Sequence, residues 1–185
     1  MKYTDKQLLD RVKSLPSFAG WPKGILDIWV RSKADKSDVF DDKVYTFDCT
    51  SGEPVFKMVC SGTSHAGSFG LLKFRTYNPH GCAVLVADVI TYNCYEYGLH
   101  KGKPAYRQSK GIPYTRDNDK DLKAENYGKI YTNIIYANCH RAGWFSRTIY
   151  NWSVACLVRN SFAQFSAWLK FMNKRSLSIV ILSEF

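Results

Sequence analysis

Hydrophobic residues along this chain gather mostly in short β-branched or aromatic runs divided by polar turns, and in two places recur at helical spacing instead. The runs Ile25–Val30, Val44–Phe47 and Val55–Val59 read as antiparallel strands, with further strands at Gly81–Val86, Val89–Tyr92 and Leu177–Leu182. Ser61–Gly67 reads as a surface loop and Gly98–Asp121 as a turn-rich region. The first helical exception begins with Thr4 and Gln7, a capping box ahead of Leu8, Leu9, Val12 and Leu15, and stops at Pro16. The second begins with Ser161 and Gln164, and the spacing of Phe162, Phe165, Trp168, Leu169 and Met172 suits a helix packed on a sheet. Together these elements predict a mainly β fold with flanking helices. At 185 residues, without repeat or linker, the chain forms a single domain, 1–185.

Composition narrows the classes of function. With 45% hydrophobic and 15% aromatic residues the chain buries a core and is not a disordered segment. Its formal charge of +10 favours anionic partners such as nucleic acid, cell-wall polymer or membrane headgroups. The basic residues are spread out, without the block of like charges typical of a nucleic-acid arm, which argues against nucleic acid. No stretch reaches the length of a membrane span. The polar start, Met1–Gln7, lacks the apolar segment of a secretory signal and predicts synthesis in the cytoplasm. The cysteines at 49, 60, 82, 94, 139 and 156 show neither a CxxC pair nor zinc-type spacing, so most read as buried small hydrophobes, and neither metal nor cofactor is expected. Asp117, Asp119 and Asp121 alternate as in a calcium loop. Leu122 and Gly128 stand where that loop needs Gly and Glu, so the segment reads as a hydrogen-bonded loop tied by Arg116.

The pair with chemical content is His140 and Cys156, which bound a loop holding Gly143, Ser146, Arg147 and Ser153. A thiol becomes a nucleophile as its thiolate, and an imidazole is the usual base, so the two residues form a candidate catalytic dyad. On spacing alone they read as a surface histidine and a buried cysteine, as most residues of these types are. Arg141 and Arg107 are candidates to grip a substrate carboxylate through paired hydrogen bonds. His100 is placed to contact substrate or orient the base, and Tyr106, Trp144, Tyr150 and Trp152 to wall a groove.

With its surroundings the pair resembles the active-site motif of the L,D-transpeptidase family, a His followed after a loop by Ser-His-Gly-Cys. The order of Gly98-Leu99-His100-Lys101-Gly102, Arg116-Asp117-Asn118-Asp119-Lys120-Asp121, Asn138-Cys139-His140-Arg141-Ala142 and Trp152-Ser153-Val154-Ala155-Cys156 is similar to a phage-borne and bacterial branch of that family. The resemblance implies an L,D-transpeptidase-like β-sandwich, with a catalytic region over 61–176 and an N-terminal helix and strands, 1–60, packed on it. It implies that Cys156 is the nucleophile and His140 its base, that Ser153 shapes the loop, and that the Cys156 backbone N–H with a neighbour holds the oxyanion. The implied substrate is the peptidoglycan stem peptide, and the implied role a phage lysis or cell-wall enzyme acting at the wall once released. Val154 and Ala155 stand where the family has His and Gly, and an arginine follows the cysteine by three positions, at Arg159, where the family has it by two. The alternatives are a non-catalytic wall-binding or virion-associated module of the same fold and, supported by charge alone, a nucleic-acid-associated host-takeover protein.

Overall fold

Short apolar runs of this kind are stable only side by side, and in the computed structural model, which describes residues 2–34, 36–143 and 148–185, eight of them close into a barrel. Its strands are β1 (Ile25–Arg31), β2 (Asp42–Asp48), β3 (Val55–Thr63), β5 (Val89–His100), β6 (Lys103–Gln108), β8 (Cys139–Arg141), β9 (Leu157–Arg159) and β10 (Leu177–Ser183). Around the barrel they run β1-β10-β5-β6-β8-β9-β3-β2, so the sheet closes on itself where two facing sheets were expected. The remaining strands, β4 (Cys82–Leu85) and β7 (Tyr114–Asp117), pair as a separate ribbon. Three helices flank the sheets: α1 (Asp5–Lys13), α2 (Ser68–Lys73) and α3 (Phe162–Met172). Among the described residues no helix is long and apolar enough to cross a membrane.

Both expected helix starts are present. The Thr4 hydroxyl accepts from the Gln7 amide while the Gln7 side chain accepts from the Thr4 amide, and Leu8 and Val12 are buried beneath α1. Ser161 accepts from the Gln164 amide, and α3 buries Phe165, Trp168 and Met172. The region expected to be turn-rich is different. Gly98–His100 extend β5 and pair with β6, because cross-strand partners such as Tyr97↔Tyr106 and Gly98↔Ala105 supply what the local sequence does not. Lys101 and Gly102 turn this hairpin with φ of 50° and 75°, the left-handed pair of a two-residue turn. Ser61–Thr63, expected in a loop, belong to β3, where Gly62 lies opposite both Asp42 and Arg159. The expected antiparallel pairing of the first three strands is present, β1 with β2 and β2 with β3, while two neighbouring pairs, β1 with β10 and β8 with β9, are parallel.

A charge sits in the barrel interior. Arg159 on β9 is fully buried and ion-paired with the equally buried Asp27 on β1. The Thr46 hydroxyl on β2 donates to the other Asp27 oxygen at 2.6 Å, and Arg159 Nη1 donates to the Cys60 sulfur on β3 at 3.0 Å. The guanidinium lies 4.1 Å from the centroid of the Trp168 ring on α3. Asp27 and the neighbouring thiols hold Arg159 protonated although burial alone would lower its pKa. A buried ion is tolerated only when paired and hydrogen-bonded, so this cluster ties four strands and a helix together. Arg159→Met, which strands the Asp27 charge, is expected to lower unfolding free energy by about 3–5 kcal/mol, and the double change Asp27→Asn with Arg159→Met to recover most of it. Urea denaturation checks both; a single variant as stable as the wild type would mean the pair does not hold the barrel.

Candidate active site

Parallel strands need a crossover between them, and the segment from Ala142 to Cys156 is the crossover from β8 to β9. It returns the chain so that Cys139 lies opposite Leu157 and His140 opposite Val158, while the Leu157 amide donates to the Asn138 carbonyl at 3.0 Å. Sixteen positions of sequence thereby become contact distance. A ring nitrogen of His140, a ring nitrogen of His100 and the Cys156 sulfur lie within 4.8 Å of one another. His100 arrives from the end of β5, its ring stacked on that of His140 with centroids 4.5 Å apart and planes 8° from parallel.

The crossover is held from several sides. The buried Ser153 hydroxyl donates to the Cys156 carbonyl at 2.8 Å. The Ser153 carbonyl accepts from the Gly67 amide at 3.0 Å, and Gly67 sits so close that a Cβ there would lie 2.0 Å from the Tyr150 carbonyl oxygen. The Asp38 carboxylate accepts from both the Tyr150 and Ser68 amides, tying the crossover to α2. Tyr136, whose carbonyl oxygen is 3.9 Å from the Cys156 sulfur, has a φ of 59°, a costly conformation for a bulky residue and one concentrated at functional sites.

Hydrogen bonds assign the two imidazoles opposite tautomers. His140 Nδ1 lies 2.9 Å from the Arg141 carbonyl oxygen, which only accepts, so Nδ1 carries the proton. Its Nε2 is left with a lone pair, buried and without a hydrogen-bond partner. His100 Nδ1 lies 3.0 Å from Asn138 Nδ2, whose amide is oriented because its Oδ1 accepts from the Gln108 backbone N–H at 3.0 Å. The Asn138 NH₂ donates, so His100 Nδ1 is the acceptor and its proton is on Nε2.

Burial sets the charges. It pushes His140 down to about 4, helped by His100 and Lys101 and opposed by the Arg141 carbonyl. It pushes the half-buried Cys156 up to about 11, against the pull of the Asn138 backbone and Lys101. Cys49, Cys82, Cys94 and Cys139, all buried, rise to about 12. At neutral pH the resting pair is thus a thiol beside a neutral imidazole.

Two separate clefts of about 320 Å³ each are lined by residues of this group. His100, His140, Arg141 and Trp152 line one, with Lys101 and Lys103 beside them. Cys156, Val154, Ala155 and Tyr136 line the other, with Tyr77 and Arg116. Arg141 is steadied by donating to the Ala142 carbonyl and by the Phe162 ring 4.7 Å away. Three expected contacts, Tyr106, Arg107 and Tyr150, fall elsewhere. Tyr106 is fully buried, edge-on to Trp168 at 5.0 Å, because its parity on β6 turns it into the barrel. The same parity leaves Arg107 exposed, opposite Glu96 and outside both clefts. Tyr150 packs edge-on to Phe69. Trp144, Ser146 and Arg147 lie outside the described residues. Arg116 does not tie the Asp117–Asp121 loop but donates to the Gly81 carbonyl; the Glu125 amide instead donates to Asp117.

A nitrogen, nitrogen and sulfur set is also one that a zinc-type cation accepts. Here His100 has no lone pair to give, since Nδ1 receives Asn138 and Nε2 holds the proton. Asn138, Gln108, Lys101 and Lys103 were missed as site residues. For Asn138 a signal existed: it stands two positions before His140 and so shares its face of the strand. Comparison with family models, curated proteins and solved structures finds no match for this chain.

The depressed His140 has a consequence for stability. Between about 6.5, the unperturbed histidine value, and about 4 the unfolded chain binds a proton that the folded chain refuses, so stability falls as pH falls through that window. The effect amounts to about 3 kcal/mol when complete. Urea unfolding from pH 7 to 4 is expected to weaken less in His140→Gln than in the wild type, and parallel curves would contradict it. Alkylation of Cys156 by iodoacetamide is expected to rise about tenfold per pH unit from pH 7 to 9, as for a thiol that titrates near 11. A plateau in that range would instead reveal a preformed thiolate–imidazolium pair.

Proposed function

We propose that this chain is a cysteine acyl-transfer enzyme that cuts or exchanges peptide bonds in peptidoglycan stem peptides. The observation that carries this reading is the buried, partnerless His140 Nε2 on a ring whose neighbour is the only cysteine that is not fully buried. Nε2 takes the Cys156 proton as the sulfur attacks the substrate carbonyl carbon. The carbon–nitrogen bond then breaks, His140 returns the proton to the departing amine, and a thioester remains on Cys156. Water or a second amine attacks the thioester, and His140 again removes and returns the proton. Two separate clefts, one lined by His100 and His140 and the other by Cys156, support a site that receives an acyl donor on one side and an acceptor on the other. Lys101, Lys103 and Arg141 give one of them a cationic wall suited to carboxylates of the stem peptide. We read the barrel as L,D-transpeptidase-like and its site of action as the cell wall after release from the host.

A second reading, a wall-binding module of the same architecture without chemistry, is favoured by the high pKa of the resting thiol. One assay separates the two. The wild type is expected to change the muropeptide mass spectrum of purified peptidoglycan, and Cys156→Ala to leave it unchanged. His140→Ala is expected to slow the reaction by roughly 10³-fold or more, as removal of a catalytic base does. Equal activity of Cys156→Ala would end the enzymatic reading.

A further inference from the structure

We propose that His100 is a further catalytic residue, whose Nε2–H donates a hydrogen bond to the substrate oxygen that becomes negative when Cys156 attacks. This rests on the acyl-transfer reading above and gives His100, read from the sequence as a substrate contact or an orienter of the base, the role of oxyanion donor. Attack by the sulfur forms the carbon–sulfur bond and moves the carbonyl π pair onto oxygen, and a donor placed beforehand at that oxygen lowers the barrier. The amide after the nucleophile is not available for this: Leu157 N–H is committed to the Asn138 carbonyl within the sheet. His100 is available. Its ring lies against His140 and lines the same cleft, and one of its nitrogens is within 4.8 Å of the Cys156 sulfur.

What makes it a donor and not a second base is the relay behind it. The Gln108 backbone N–H donates to Asn138 Oδ1, Asn138 Nδ2 donates to His100 Nδ1, and the ring's remaining hydrogen is on Nε2. Each bond in such a chain polarises the next. Asn138 is itself held, since it is buried and adjoins the strand that carries His140. Burial, with Lys101 and Arg107, keeps His100 neutral, so it donates without giving up a proton during the step. The two stacked rings divide the work: His140 moves the proton, and His100 holds the charge on oxygen and keeps its own. When the intermediate collapses, the oxygen pair reforms the carbonyl and the hydrogen bond weakens.

The test uses two reactions of the same thiol. Acylation of Cys156 by p-nitrophenyl acetate passes through an oxyanion, whereas alkylation by iodoacetamide does not. His100→Leu is expected to slow acylation by roughly 10²–10³-fold and to change alkylation by less than about threefold, with His100→Gln, which keeps an N–H donor, regaining at least about tenfold in acylation. In the wild type near neutral pH, ¹⁵N–¹H correlation of the imidazoles is expected to show the proton on Nε2 of His100 and on Nδ1 of His140, a result that does not depend on any variant folding. A proton on His100 Nδ1, or wild-type acylation by His100→Leu while His140→Ala is slow, overturns the role of His100 alone. Wild-type acylation and alkylation by His140→Ala overturns the acyl-transfer reading and this role with it. Saturable binding of Zn²⁺ that His100→Leu abolishes also overturns the role, because it requires a lone pair that a relayed donor does not have.

Discussion

The placement of the thiol depends on the buried Arg159–Asp27 ion pair. Arg159 lies three residues after Cys156 on a strand of only three residues, too short to be held in register by its own ladder. A guanidinium in the interior cannot slide: moving it by one position would turn it out of the barrel and leave Asp27 charged and unpartnered. With Arg159 and Leu157 fixed inward, alternation turns Val158 and Cys156 outward, and the parallel register puts Cys139 inward and His140 outward beside them. His140 and Cys156 are thus aligned by a charge they never touch. The same pairing holds Asn138 opposite the start of β9, where its backbone carbonyl joins the sheet and its side chain joins His100.

Burial that positions the dyad also restrains it. It raises the thiol and lowers the imidazole, so the resting site holds no charge on either group. Protonating both stacked rings together would set two cations face to face in the company of Lys101, which disfavours imidazolium at rest and leaves both rings as neutral partners. On the acyl-transfer reading proposed above, an anionic substrate entering the cleft would supply the counter-charge that the resting site lacks and exclude water as it does so. In this view the cationic wall and the neutral dyad are parts of one device, in which charge separation waits for the ligand.

Much of this was legible in the chain. Thr4 with Gln7 and Ser161 with their apolar spacing fix both long helices by local physics, and the runs of β1, β2 and β10 declare themselves by composition. The dyad was legible as a pair of residue types. Barrel closure, the two parallel pairings and the hairpin of β5 with β6 were not, because each depends on a partner distant in sequence. The hairpin also lacks an Asn-Gly signal, its first turn residue being Lys101. Tyr106 and Arg107 show how narrow the margin is: side-chain parity on one strand sends the first into the core and the second into solvent, and parity cannot be assigned before the strand is recognised.

The two departures from the family pattern beside the thiol have physical readings in this arrangement. A glycine before the cysteine matters only if the backbone needs a left-handed angle. Ala155 is not among the residues with positive φ, and the turn is closed by the Ser153 hydroxyl on the Cys156 carbonyl instead. An imidazole at position 154 would have come from the crossover, but Val154 packs against the apolar cluster of Ala66, Leu71 and Phe74 and helps seat that segment on α2. The second imidazole beside Cys156 belongs to His100, brought by a hairpin from the opposite side of the cleft and oriented by Asn138. A ring mounted on a strand end and held through a buried amide keeps its geometry without relying on the crossover. The crossover that carries Cys156 and the strand end that carries His100 are therefore separate parts of the chain.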